Sequence, residues 1–237
     1  MNASSKMQDY RQYGDKWIQT FTGTGIGGVL PLDHPRPEHV NFITIAHHTA
    51  CTNRFLGATK LPISIAQHQI QVADHVRPRL RPRALFHDGH ESAVNDNSTP
   101  WKALIQSICG MPVISDIEGR HDDAIFSAAG FEPISAAEKD EIKHEDLRAL
   151  MTERRDLCEK TPMPWIVDGF GAEPWPETIV AWPWWYAEFM FLQRIRDYCP
   201  ALFSRHSTAF YARIGELRLL GPAEWERMAH FVAAVRA

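Results

Sequence analysis

From about Asn41 onward, apolar residues recur at helical spacing and strand-like alternation is scarcely visible. The chain is therefore expected to be all-α, with amphipathic helices burying one face against another. Pro, Gly and polar breaks divide this periodicity into expected helices near residues 42–53, 62–76, 83–94, 100–108, 135–158, 185–197, 201–218 and 222–236. Upstream, GTGIGG and PLDHPRPEH place glycines and prolines too densely for long regular elements, so residues 1–40 are expected to form an irregular N-terminal segment. A chain of 237 residues can bury a sizeable core. That core is expected over 41–160, with a Trp-rich segment and extra C-terminal helices packing on it over 161–237.

No staple is needed to hold such a core. Cys51, Cys109, Cys158 and Cys199 stand far apart without a Cys-x-x-Cys pair, which argues against a disulfide framework and against a thiolate zinc site. A reducing, cytoplasmic setting is expected. The first fifteen residues are polar with no apolar h-region, and no stretch reaches the roughly 18 uninterrupted apolar residues of a spanning helix, so no membrane partner is expected. A net charge of -4 gives no reason to expect a nucleic-acid partner. The local exception is RPRLRPR at 77–83, which Pro78 and Pro82 make a loop between helices: either a solvated connector or a rim that attracts a phosphate-bearing substrate.

The clearest helix start is Ser135, three residues before Glu138, the spacing of a reciprocal capping box. It fixes the phase of the helix that starts there. At 100° per residue, Ile142, Asp146, Ala149, Leu150 and Leu157 share one arc, so Asp146 sits in the middle of an apolar stripe. An ionised carboxylate buried without a partner is costly enough that it takes up a proton instead, so a metal ion or a strong cation such as Arg54 is its expected companion.

In ALFHDGHESAVND, residues 84–96, helical spacing brings His87, Asp88 and Glu91 onto one face. In PISIAQHQIQVADHV, His68 stands at the edge of an apolar arc with Ile65 and Val72, where it is either a hydrogen-bonded core histidine or a ligand. Two imidazoles and two carboxylates would suit a borderline divalent ion (Mn, Co, Fe, Ni or Zn) with positions left for water and a substrate oxygen. Such an ion polarises a phosphoryl oxygen and lowers the pKa of water, both of which phosphate-ester hydrolysis needs. Glu91, one turn beyond Asp88, could orient that water or exchange a proton with the leaving group.

Taken together, SIAQHQIQVA, ALFHDGHESAVNDNSTPWK and IKHEDLRAL resemble the H…HD…D signature of HD-domain phosphohydrolases, and are most similar to the 5′-deoxynucleotidase branch with its phage and prophage relatives. WIQTFTG at 17–23 and IAHHTACTNRF at 45–55 look like that group too, so the likeness spans roughly residues 17–195. It implies an HD-domain helical bundle with metal ligation by His68, His87, Asp88 and Asp146, and with Glu91 as catalytic acid or water-orienting group. It further implies that Asp96 touches the sugar or helps the reacting water, that Arg54 holds the phosphate and that Phe55 packs near the sugar. The implied activity is release of phosphate from deoxynucleoside monophosphates, or hydrolysis of a triphosphate, with magnesium as an additional ion. A nucleotide-binding regulator that turns nothing over stays open. HDGHES carries His90 where the family commonly has a small residue.

Trp165, Trp175, Trp182, Trp184 and Trp185 read as a packed wall, a base-stacking lid or a subunit interface. The terminal helices have apolar faces suited to packing or to self-association as a homo-oligomer.

Overall fold

Asn41 accepts the amides of Ile43 and Thr44 at 2.8 and 3.2 Å, and this N-cap starts the first helix of a computed structural model that describes residues 13–220 and 223–227. Ahead of it lies a two-stranded antiparallel hairpin, β1 (Trp17–Thr20) with β2 (Gly28–Pro31), paired Trp17 to Pro31 through Thr20 to Gly28. The helices are α1 (Phe42–Cys51), α2 (Ile65–His75), α3 (Arg81–Leu85), α4 (Glu91–Val94), α5 (Thr99–Cys109), α6 (Val113–Ala129), α7 (Ala136–Leu157), α8 (Trp184–Tyr198), α9 (Pro200–Arg205) and α10 (Ser207–Arg218). Among the described residues the fold is all-α apart from the hairpin.

The expected capping box holds, and a second local cap joins it. Ser64 caps α2 through the amide of Gln67 at 3.2 Å, and Ser135 with Glu138 forms the reciprocal box at the head of α7. Five of the expected helices appear within a few residues of their bounds. The exceptions have physical causes. The 1–40 segment is not wholly irregular, because Gln19 and Val29, Ile18 and Leu30 pair as strands on either side of the glycine-rich turn. The expected helix 83–94 is interrupted: α3 ends at Leu85, and α4 begins at Glu91, so His87 and Asp88 lie in a turn. RPRLRPR is not a plain loop, since its second half is the start of α3 with Pro82 tolerated in the first turn. The single helix expected over 201–218 breaks at His206 into α9 and α10. Helix α6 has no counterpart among the expected helices. Of the expected helix 222–236, residues 223–227 are helical and the rest lies outside the described residues.

Helix α2 lies at the centre, buried through Ile65, Ala66, Ile70, Val72 and Ala73, and is packed by α1, α3, α7 and α8. Phe86 and Phe191 meet edge to face at 5.6 Å in the core, each fully buried. Burying such a side chain stabilises the fold by roughly 1.5–3 kcal/mol. The buried amide of Gln67 on α2 bonds the carbonyl of Val180 and the amide of Trp182, fastening the non-helical approach to α8 onto the core. Trp175 is buried and stacks on His75 at 3.6 Å, while Trp182 and Trp185 pack against the same core and Trp184 is exposed. All four cysteines are free. No helix among the described residues is long and apolar enough to cross a membrane.

Candidate metal centre

Packing of α7 across α2 and closure of the Phe86–His90 turn over both bring four side chains to one point. His68, His87, Asp88 and Asp146 each offer a ligand atom, and these atoms all lie within 4.8 Å of one another. His68 Nε2 is 3.1 Å from Asp146 Oδ1 and 3.5 Å from Asp88 Oδ2, and His87 Nε2 is 3.3 Å from Asp88 Oδ2. His68 is completely buried. The stripe position of Asp146 on α7 is therefore where the structure closes the cluster.

The tautomers follow from the partners of the other ring nitrogens. His87 Nδ1 lies 2.7 Å from the carbonyl of Ala84, which can only accept, so Nδ1 carries the proton. His68 Nδ1 lies 2.8 Å from Glu153 Oε1 and donates to that carboxylate. When neutral, each ring presents a bare Nε2 lone pair toward carboxylate oxygens. Both Nε2 atoms are buried with no hydrogen-bond partner. Lone pairs facing negative oxygens repel unless a proton or a cation stands between them, and two nitrogens with two oxygens suit a borderline divalent ion. The residues present therefore fit such an ion.

The electrostatics agree. Burial alone would push Asp146 and Asp88 toward the neutral form, yet the neighbouring imidazoles hold both carboxyls far below the usual carboxylate range. Burial likewise opposes charging of His68 and His87, and the surrounding carboxylates outweigh it and raise both. This cluster favours positive charge, which protons or a metal ion could supply.

Around this point the other expected residues take distinct places. Glu91, only 6% exposed, opens α4 with its Oε2 unpartnered, and burial together with the Asp88 carboxylate raises its carboxyl well above the usual range. Arg54 is buried, its Nε donating to Glu153 Oε2 at 3.0 Å and its Nη1 standing 3.8 Å from Asp88 Oδ2. The buried carboxylate that Arg54 pairs with is thus Glu153 rather than Asp146. Asp96 accepts the amide of Phe55 at 3.0 Å and pins the tight turn in which Phe55 and Leu56 hold φ of 57° and 52°. Such left-handed conformations cost a branched or bulky residue of order 1–3 kcal/mol and persist only when neighbours hold them. Phe55 faces Trp165 at 5.9 Å between ring centroids, and the guanidinium of Arg54 lies 5.4 Å from its ring.

Two participants lie outside the expected set. Lys143 Nζ lies 2.6 Å from Asp146 Oδ2 and covers the carboxylate oxygen turned away from the imidazoles. Glu153 is fully buried and binds both His68 and Arg54, though TERRDL looks like a solvated charge run. Its signal is present in the periodicity. Glu153 follows Asp146 by two helical turns, which returns it to the same face of α7.

No family model matches the chain, and a comparison with curated proteins finds no match either.

Proposed function

We propose that this chain is a metal-dependent phosphohydrolase acting on (deoxy)nucleoside 5′-phosphates, with phosphate release from deoxynucleoside monophosphates as the leading activity. The observation that carries the metal dependence is the pair of buried Nε2 atoms that face Asp88 and Asp146 without a hydrogen-bond partner. The substrate class rests on the resemblance of the H…HD…D segments to HD-domain phosphohydrolases. His68, His87, Asp88 and Asp146 would hold one Mn, Co, Fe, Ni or Zn ion. When bound, that ion supplies the Lewis acidity that phosphoryl transfer to water requires.

The chain's own residues supply the rest. Glu91, kept protonated by burial beside Asp88, is placed to give a proton to the departing oxygen. Arg54 uses Nε on Glu153 and keeps Nη1 on the side of Asp88, where a planar guanidinium would take phosphate oxygens. Phe55 offers a ring to the sugar, and Asp96 sets where that ring stands by holding the Phe55 amide.

A panel of nucleoside mono-, di- and triphosphates, incubated with Mn or Co and analysed for products, tests the proposal. Phosphate and nucleoside from monophosphates are expected. Release of triphosphate from a triphosphate would move the activity to a triphosphohydrolase, and nucleotide binding without any product would favour a regulator.

A further inference from the structure

We infer that the protein has a second divalent-cation site, built from Asp88, His90 and Glu91 and sharing the Asp88 carboxylate with the first centre. One ligand atom from each of these three residues lies within 4.8 Å of the others. Two observations independent of that spacing point to a cation. Glu91 is 6% exposed and its Oε2 is buried with no hydrogen-bond partner, although Asp88 and His90 stand beside it. A buried carboxyl oxygen in that position lacks the partner its burial demands. His90 Nδ1 is held 2.9 Å from Asp122 Oδ1 on α6, which fixes the ring and leaves Nε2 as its other nitrogen. The same device orients His68, whose Nδ1 is fixed by Glu153. Carboxylates that hold the far nitrogen of an imidazole in this way are the usual supports of metal-ligating histidines.

The neighbouring charges define the donor set. Glu118 Oε1 lies 3.8 Å from His90 Nε2, and the Glu118 carboxylate is already paired with Lys102, whose Nζ donates to Oε2 at 2.9 Å. Three protein donors remain, two oxygens and one nitrogen, against two of each at the first centre. A harder donor set with several positions left for water suits Mn or Mg better than Zn. With an ion bound there, Glu91 acts as its ligand rather than as the proton donor proposed above. The inference goes beyond the proposed hydrolysis and does not need it, since it concerns binding alone.

Manganese titration of the full, metal-stripped chain, read by metal content and by electron paramagnetic resonance, decides it. The wild type is expected to take two manganese ions whose spectrum shows mutual coupling, because ions bridged by one carboxylate stand roughly 3.5–4 Å apart. His90→Ala and Glu91→Gln should each keep one, with the signal of an isolated ion, and Asp122→Asn should weaken the second ion's binding by about 10–100-fold. Circular dichroism establishes that each variant is folded, and the wild-type count stands whether or not they are. A wild type that saturates with one uncoupled ion, or a His90→Ala protein that still takes two, overturns the second site and leaves the first intact. A wild type that takes none removes both.

Discussion

Glu153 Oε1 stands 2.8 Å from Nδ1 of His68 at the bottom of the cluster, and neither side chain has any exposure to solvent. The imidazole can reach only one way from there, so the geometry of the first ligand is set by a residue on another helix. Glu153 in turn is anchored by Arg54, and α2, α7 and the Arg54 turn are thereby tied to one point.

Glu153→Gln should therefore weaken metal binding by about 10–100-fold, since a neutral amide supports the His68 ring less well than a carboxylate. Competition against a calibrated chelator measures it. Unchanged affinity in a folded variant would show that Glu153 serves packing alone.

Much of this arrangement is legible where one helix fixes its own phase. Ser135 and Glu138 set the register of α7, and the stripe through Ile142 and Ala149 then places Asp146 inward. The turn at His87 and Asp88 is not legible, because its periodicity also satisfies a helix and the break comes from tertiary closure of α3 against α2 and α8. Helix α6 escapes because Gly119 and the charged run through Asp123 interrupt its apolar pattern, although it buries Glu118, His121 and Ile125. Without α6, the support of His90 by Asp122 cannot be foreseen. The hairpin is hidden because its strands are only four residues each.

Asp146→Ala should lose metal while retaining most helicity, because the carboxylate closes the cluster and contributes little packing area of its own. Metal content measured beside circular dichroism checks this. Full occupancy in the variant would remove Asp146 from the ligand set.

Arg54 serves a buried carboxylate as well as facing the cluster, so its removal should be felt twice. Arg54→Ala leaves Glu153 buried beside no guanidinium, a loss expected to cost about 3–5 kcal/mol of stability. The surviving folded protein should also show a lower kcat/KM, and Arg54→Lys should recover only part of either. A fall in Tm with unchanged kinetics would confine Arg54 to bracing Glu153.

Away from the cluster, His47 on α1 contacts Glu188 on α8 at 2.9 Å, with Arg213 of α10 and Cys51 and His48 of α1 beside it. Burial pulls its pKa down, but Cys51 and the fully buried Glu188 carboxylate raise it to about 9. A histidine raised in the folded state adds stability that is complete below about 6.5, its unfolded value, and is lost as pH rises through the folded value. Tm should thus fall between pH 6.5 and pH 9, and His47→Gln should flatten that part of the profile. An identical slope in the variant would assign it to other groups.

The central claim is that the cluster on α2, α7 and the Phe86–His90 turn holds the ion that makes the protein a phosphohydrolase. It is tested most directly by following phosphate release from deoxynucleoside monophosphates in one preparation, first stripped by chelator and then reconstituted with Mn or Co, beside His87→Ala treated identically. The account predicts no release when stripped, recovery on reconstitution and none from the variant. Release that survives stripping, or a reconstituted wild type that binds metal and hydrolyses no nucleotide, would contradict it.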